Sequence, residues 1–169
     1  MQRHRRGFFD NHSAKFADIL HYQARGQAIR DHIRRRIEET YRETGEPIAL
    51  LCHSLGGVAA VDLLVENPLN RCVSQFITVG SQAGFFYEVD ALVRLPYPDP
   101  LPDHFPKAWR NVYDRSDFLS YRVGGVFPGR CTDLRVDNGQ PFPQAHTAYW
   151  DNPAVIEEIG RCAGGGQAG

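Results

Sequence analysis

Long apolar runs are missing from this sequence. Nothing in it approaches the eighteen or so consecutive apolar residues of a membrane span, so no transmembrane segment is expected. An excess of charge is missing too. Nineteen Lys and Arg against twenty Asp and Glu leave a net charge of -1, which argues against nucleic acid or an anionic membrane as the partner. Cysteine is sparse: Cys52, Cys72, Cys131 and Cys162 are widely scattered and make no C-x-x-C pair. That pattern suits free thiols in a cytoplasmic protein and neither a disulfide framework nor a metal site, and no cofactor is expected. The basic start, Met1 to Arg6, is followed by no long apolar segment and makes a poor secretory signal. Internal repeats are absent.

What remains is a chain of 169 residues, 42% hydrophobic, enough for one compact domain with a real core. That domain is expected over residues 1–162, with 163–169 as a flexible tail. Helical periodicity runs from about Arg25 to Glu43, where Ile29, Ile33 and Ile37 recur every fourth residue. Arg30, Arg34, Arg35, Glu38 and Glu39 fill the other faces, so Arg34-Arg35-Arg36 reads as a solvated side with glutamate partners and not as a binding patch.

The organising stretch is Leu50-Leu51-Cys52-His53-Ser54-Leu55-Gly56-Gly57. The apolar run Ile48–Leu51 enters it as a buried strand, and Val58–Val65 leaves it as a helix. A serine flanked by small residues between a strand and a helix is a nucleophile elbow in the G-x-S-x-G sense, with Cys52 where the first glycine stands and Gly56 where the second does. Small neighbours are expected there because the two backbones pass close to each other. Further strands read at residues 73–81, at Trp109–Asp114 and at Thr132–Asp137, and a last helix opens at Asn152 and Pro153. Between them, residues 82–108 make a long connection rich in Pro and aromatics, read equally as a lid or binding segment and as a connector packing its own rings. Strands alternating with helices and long connections give an α/β class with a parallel sheet.

A serine is a poor nucleophile at neutral pH unless a base lies within hydrogen-bond reach, and the base needs an acid to hold its tautomer. Downstream of Ser54 there are two histidines. His104 sits in the proline-rich connection, a poor place for a fixed base. His146 follows the last strand, at the sheet edge that should carry the site. For the acid, Asp114 and Asp117 both follow the third strand. Asp117, in the loop proper, is preferred, and Asp114 is the alternative, with turn capping as its other role. Asp133 and Asp137 rank below them. His53 is expected to pack under the elbow.

Taken together, Cys52–Gly57, Asn111–Asp117 and Ala145–Trp150 resemble the lipase- and esterase-like serine hydrolases of the α/β-hydrolase superfamily. The resemblance covers about Gln23 to Ile159 and rests on three motifs in the family's order. It implies an α/β-hydrolase-like sheet flanked by helices, with Ser54 as nucleophile, His146 as base, Asp117 as acid and the Leu55 N–H as one oxyanion-hole donor. An ester or lipid substrate is implied, with Phe85, Phe86 and Tyr87 as candidate pocket residues. Thioesters and amides use the same machinery, and a silent scaffold that binds a ligand or partner is the competing reading.

The front of such a hydrolase is not visible. Only 47 residues precede Ile48, they read mostly as helix, and they hold no His-Gly or Gly-Gly oxyanion loop. The domain is therefore expected to be N-terminally shortened, either the C-terminal part of a larger hydrolase or a shortened version of one. An unpaired side of the elbow strand, self-association and a missing second oxyanion donor are expected with it.

Overall fold

The computed structural model describes residues 17–164, so the basic start and most of the expected tail lie outside the described residues. Helix α1 (17–25) turns at Gly26 into α2 (Gln27–Thr44). Strand β1 (Ile48–His53) follows, then α3 (Leu55–Glu66), β2 (Val73–Val79) and a short α4 (Ala83–Glu88). Strands β3 (Trp109–Asp114) and β4 (Cys131–Val136) precede two 3-10 turns, Gln144–His146 and Ala148–Asp151, and the closing α5 (Pro153–Gly164).

The four strands form one all-parallel sheet in the order β1-β2-β3-β4. Right-handed crossovers between strands laid down in sequence must all pass over the same face. The packing obeys this: α3, α4 and the β3–β4 connection place Val58, Leu63, Phe86, Val123 and Phe127 in one cluster with Phe76 and Trp109. Helix α2 joins that face through Ile37. The opposite face is closed by α5, where Val155 and Cys162 pack on Ile77, Val79, Val112 and Val136. The chain is thus an α/β protein with helices on both faces of a parallel sheet.

Helix α3 is the most deeply set element. Gly57 to Leu64 are all buried, as a helix apolar on every side requires. Its one charged interior residue, Asp62, is fully buried and has partners for both oxygens: Tyr22 donates its phenol at 2.7 Å and the Arg94 N–H donates at 2.8 Å. Burial raises the Asp62 carboxyl above the usual range, and the two donors pull against it. Arg30 lies in the same cluster, donating to the Tyr22 hydroxyl and to Glu66. Periodicity assigned Arg30 to a solvated face; the structure buries it to 2% exposure, because α1 and Glu66 supply the partners a buried guanidinium needs. Arg34 and Arg36 pair with Glu38 and Glu39 on the open side of α2.

Other boundaries differ from expectation for local reasons. Residues 17–25 are helical ahead of the periodicity that begins at about Arg25, and Tyr22 anchors them in the core. Helix α3 begins at Leu55, directly after the serine. Strand β4 runs one residue earlier than expected, so Asp137 caps the following turn by accepting from the Gly139 N–H. Helix α5 is capped by Asn152, whose side chain accepts from the Ala154 N–H at 3.1 Å, and it extends to Gly164, past the expected start of the tail. The 82–108 connection forms a wall of the core: Leu92, Leu95, Leu101 and Phe105 are buried, and His104 bonds the Val65 carbonyl. That is the connector reading.

Strand β1 lies at the sheet edge and pairs with β2 alone among the described residues. Leu51 on it is 38% exposed. Among the described residues no helix is long and apolar enough to cross a membrane.

Candidate active site

Each strand of the sheet delivers one polar group to the same C-terminal edge: Ser54 after β1, Gln82 after β2, Asp117 after β3 and His146 after β4. In a parallel sheet that edge is where connections converge and ligands bind. Ser54 sits at φ 55°, ψ −130°, a conformation unusual for a residue with a side chain and costing on the order of 1–3 kcal/mol. The tight reversal aims its hydroxyl away from the sheet.

Nε2 of His146 lies 2.8 Å from Ser54 Oγ, and Nδ1 lies 2.9 Å from Asp117 Oδ2. A carboxylate only accepts, so Nδ1 carries the proton and Nε2 offers its lone pair to the serine hydroxyl. Asp117 and His146 are 2% and 4% exposed, while Ser54 is half-buried. Asp117 is held from three sides. Its Oδ1 accepts from the Leu119 N–H at 3.0 Å, and its Oδ2 accepts from the Tyr149 hydroxyl at 3.0 Å as well as from His146.

The other acids are engaged elsewhere. Asp114 caps the turn, accepting from the Ser116 N–H at 2.8 Å and the Asn138 N–H at 2.7 Å. Asp133 accepts from Asn111 and from the Val123 and Gly124 amides, fastening the β3–β4 connection. His53 lies against His146, ring centroids 4.8 Å apart, and donates Nε2–H to the His146 carbonyl at 2.8 Å. It braces the residue that carries the base.

No protein-family model matches the chain, and no curated protein matches it.

Two glycines make room for this arrangement. Gly80, at φ +58°, ends β2 beneath the acid; a Cβ there would meet Tyr149 at 2.8 Å and Asp117 Oδ2 at 3.3 Å. At Gly57 a Cβ would meet Ser81 Oγ at 2.3 Å, so the first turn of α3 presses on the turn after β2. Gly56, the motif's own second glycine, has nothing within 4 Å of an added Cβ. The close approach expected at Gly56 falls one residue later.

That press holds Gln82 at the site. Its Nε2 donates to Ser54 Oγ at 3.3 Å, and its buried Oε1 has no hydrogen-bond partner. Sequence reasoning missed both Gln82 and Tyr149. The available signals were position: Gln82 lies three residues past the strand next to the elbow strand, and Tyr149 lies three residues after His146.

Of the suggested pocket residues, Phe86 and Tyr87 are core side chains at 6% exposure each, and the Tyr87 hydroxyl donates to the Asp99 carbonyl. They do not line an open wall. Phe85 is 39% exposed and stacks on Tyr121 at 4.8 Å. Nearer the acid, Phe118 is 73% exposed, with its ring 5.4 Å from that of Phe142. Among the described residues no group of three or more His, Cys, Asp or Glu is placed to hold a metal ion.

Leu55 opens α3, so its N–H is one of the first-turn donors with no intrahelical acceptor. It follows the serine directly, and the positive end of the helix dipole adds to it. The arrangement can therefore take a proton from a hydroxyl and stabilise negative charge beside it.

Proposed function

We propose that this chain is a serine hydrolase of the α/β-hydrolase type acting on carboxylic esters. One observation carries the reading: a serine held at positive φ between strand and helix, with its Oγ 2.8 Å from a histidine whose other nitrogen is 2.9 Å from a buried aspartate. Ser54 Oγ attacks the ester carbonyl carbon while its proton passes to His146 Nε2. The oxyanion forms against the Leu55 N–H. Collapse breaks the ester C–O bond, and the leaving alkoxide takes the proton back from His146. Water then attacks the acyl-Ser54 carbonyl, giving up a proton to His146; the acyl C–Oγ bond breaks, Oγ takes that proton back, and the carboxylic acid leaves with Ser54 and His146 restored. Throughout, the Asp117 carboxylate holds the Nδ1–H tautomer and stabilises the imidazolium.

The exposed Phe118 beside the acid suits an apolar acyl or lipid chain at the mouth. The four free cysteines suit a reducing compartment such as the cytoplasm. Labelling of the purified protein with a fluorophosphonate, with hydrolysis of a short p-nitrophenyl ester in parallel, tests the proposal. Labelling at Ser54 that is lost in Ser54→Ala and in His146→Ala is expected. An unlabelled, inert wild type would overturn it in favour of a binding scaffold.

A further inference from the structure

We propose that the side-chain amide of Gln82 is the second oxyanion donor of this site, an inference that rests on the hydrolase reading above. Gln82 already has Nε2–H aimed at Ser54 Oγ from 3.3 Å. The oxyanion formed on attack lies two bonds from that oxygen, on a carbon bonded to it. A donor at this range reaches the position where the charge develops with little movement.

The orientation of the amide follows from the serine's own hydrogen bond. Ser54 donates its proton to His146 Nε2, so what it presents to Gln82 is a lone pair. Turning the amide over would set Oε1 against that lone pair. With Nε2 inward, Oε1 is buried without a partner, which is costly in a native structure and is the kind of expense that gathers at functional sites. The position is also rigid. Gln82 is 4% exposed and precedes α4; the adjacent Ser81 Oγ accepts from the Ala83 N–H and is pinned by the close approach of Gly57. A donor fixed before reaction stabilises the oxyanion without reorganisation. Leu55 N–H and Gln82 Nε2–H then reach the oxyanion from α3 and from the end of β2.

Two variants separate this role from packing. Gln82→Met keeps the volume and removes the donor. Gln82→Glu keeps the shape and replaces the donor by an anion. Wild type, both variants and Ser54→Ala are compared for p-nitrophenyl ester kinetics, for affinity to a trifluoromethyl ketone whose serine adduct carries the oxyanion, and for thermal unfolding. Expected for Gln82→Met is a fall in kcat of a hundredfold to a thousandfold with KM little changed, and a matching loss of ketone affinity. Gln82→Glu should fall further. Gln82→Met should unfold close to wild type, since it gives up only the 3.3 Å bond to Ser54 Oγ, whereas the carboxylate of Gln82→Glu, placed at a site 4% exposed, should unfold earlier. An active wild type beside a Gln82→Glu variant of unchanged kcat overturns the donor role and leaves the hydrolase reading standing. So does a loss of activity in Gln82→Met accompanied by early unfolding of that variant, which would mean packing. A wild type that neither hydrolyses the ester nor takes the fluorophosphonate overturns both.

Discussion

The hydroxyl of Tyr149 donates to Oδ2 of Asp117, the same oxygen that receives the Nδ1–H of His146. One carboxylate oxygen thus carries two donors, at 3.0 and 2.9 Å, in a fully buried setting. Tyr149 also accepts from the Asp114 N–H at 3.0 Å, so its phenol ties the end of β3 to the loop that bears the acid. Burial and the neighbouring Asp117 carboxylate push the phenol well above its ordinary pKa, which keeps it a donor at any working pH.

Tyr149→Phe removes that donor and leaves the Asp114 N–H with Ser120 Oγ as its remaining partner. A loss of about 1–3 kcal/mol in stability is expected. The rate should fall by about tenfold, less than for His146→Ala, because Asp117 keeps the Leu119 N–H and the base. Urea unfolding and ester kinetics on the same preparation check both figures. Unchanged stability would mean that the phenol is dispensable to the acid's placement.

Asp117→Asn and Asp114→Asn should separate cleanly. At 117 the amide can present N–H to His146 and favour the wrong tautomer, so kcat should drop by up to about four orders of magnitude with the fold intact. At 114 the amide keeps one acceptor oxygen and sets its NH2 against either the Ser116 or the Asn138 N–H, so one of those two bonds is lost, and unfolding should come earlier while kcat changes by less than tenfold. The reverse pattern would reassign the acid.

Ser54 stores strain that glycine would release. Ser54→Gly should raise stability by about 1 kcal/mol, while Ser54→Ala, which keeps a Cβ in the same backbone conformation, should not. Both should lose all turnover. Equal melting temperatures for the two variants would remove the strain argument.

Much of this was legible in the sequence, and the unread parts share a cause. Strand β3 occupies Trp109–Asp114, the span read from its apolar and aromatic run, and the parallel α/β class follows from the alternation of elements. Ser54, Asp117 and His146 could be singled out because each lies on a connection that follows a strand. Gln82 and Tyr149 could not, because their partners, Ser54 and Asp117, are 28 and 32 residues away, and only the stacking of β1 on β2 and the turn after β4 brings them in. Arg30 failed for the same reason: periodicity treats arginine as solvent-facing, and its burial depends on Tyr22 and Glu66. Helix α4, six residues of Ala-Gly-Phe-Phe-Tyr-Glu, is too short to show a period.

The α5 face offers a pH test. Arg161 bonding, then Arg110, holds the Glu158 carboxyl below its ordinary range. A carboxyl lowered on folding contributes stability above its unfolded pKa, and that contribution disappears as pH falls through the lowered value. Glu158→Gln should therefore be less stable than wild type at pH 7, by under about 1 kcal/mol, and the gap should close below about pH 4. A gap that widened toward acid would contradict the ion pairs.

The two glycines after Leu55 should respond in opposite ways. A methyl at position 56 enters open space on the exposed side of α3, and alanine is the better helix former by roughly 0.5–1 kcal/mol. Gly56→Ala should be neutral or stabilising, with ester turnover kept. A methyl at position 57 would stand 2.3 Å from Ser81 Oγ and 2.7 Å from Ser81 Cβ, so the turn after β2 must move or α3 must lift. Either displacement separates Gln82 from Ser54. Gly57→Ala should cost about 1–3 kcal/mol and lower turnover with it. Thermal unfolding and ester kinetics on the pair decide the matter, because both variants add the same methyl to the same turn of the same helix. If Gly56→Ala proved the damaging one, the close approach would lie at the motif's own glycine, and the packing that fixes Ser81 and Gln82 would have to be drawn again.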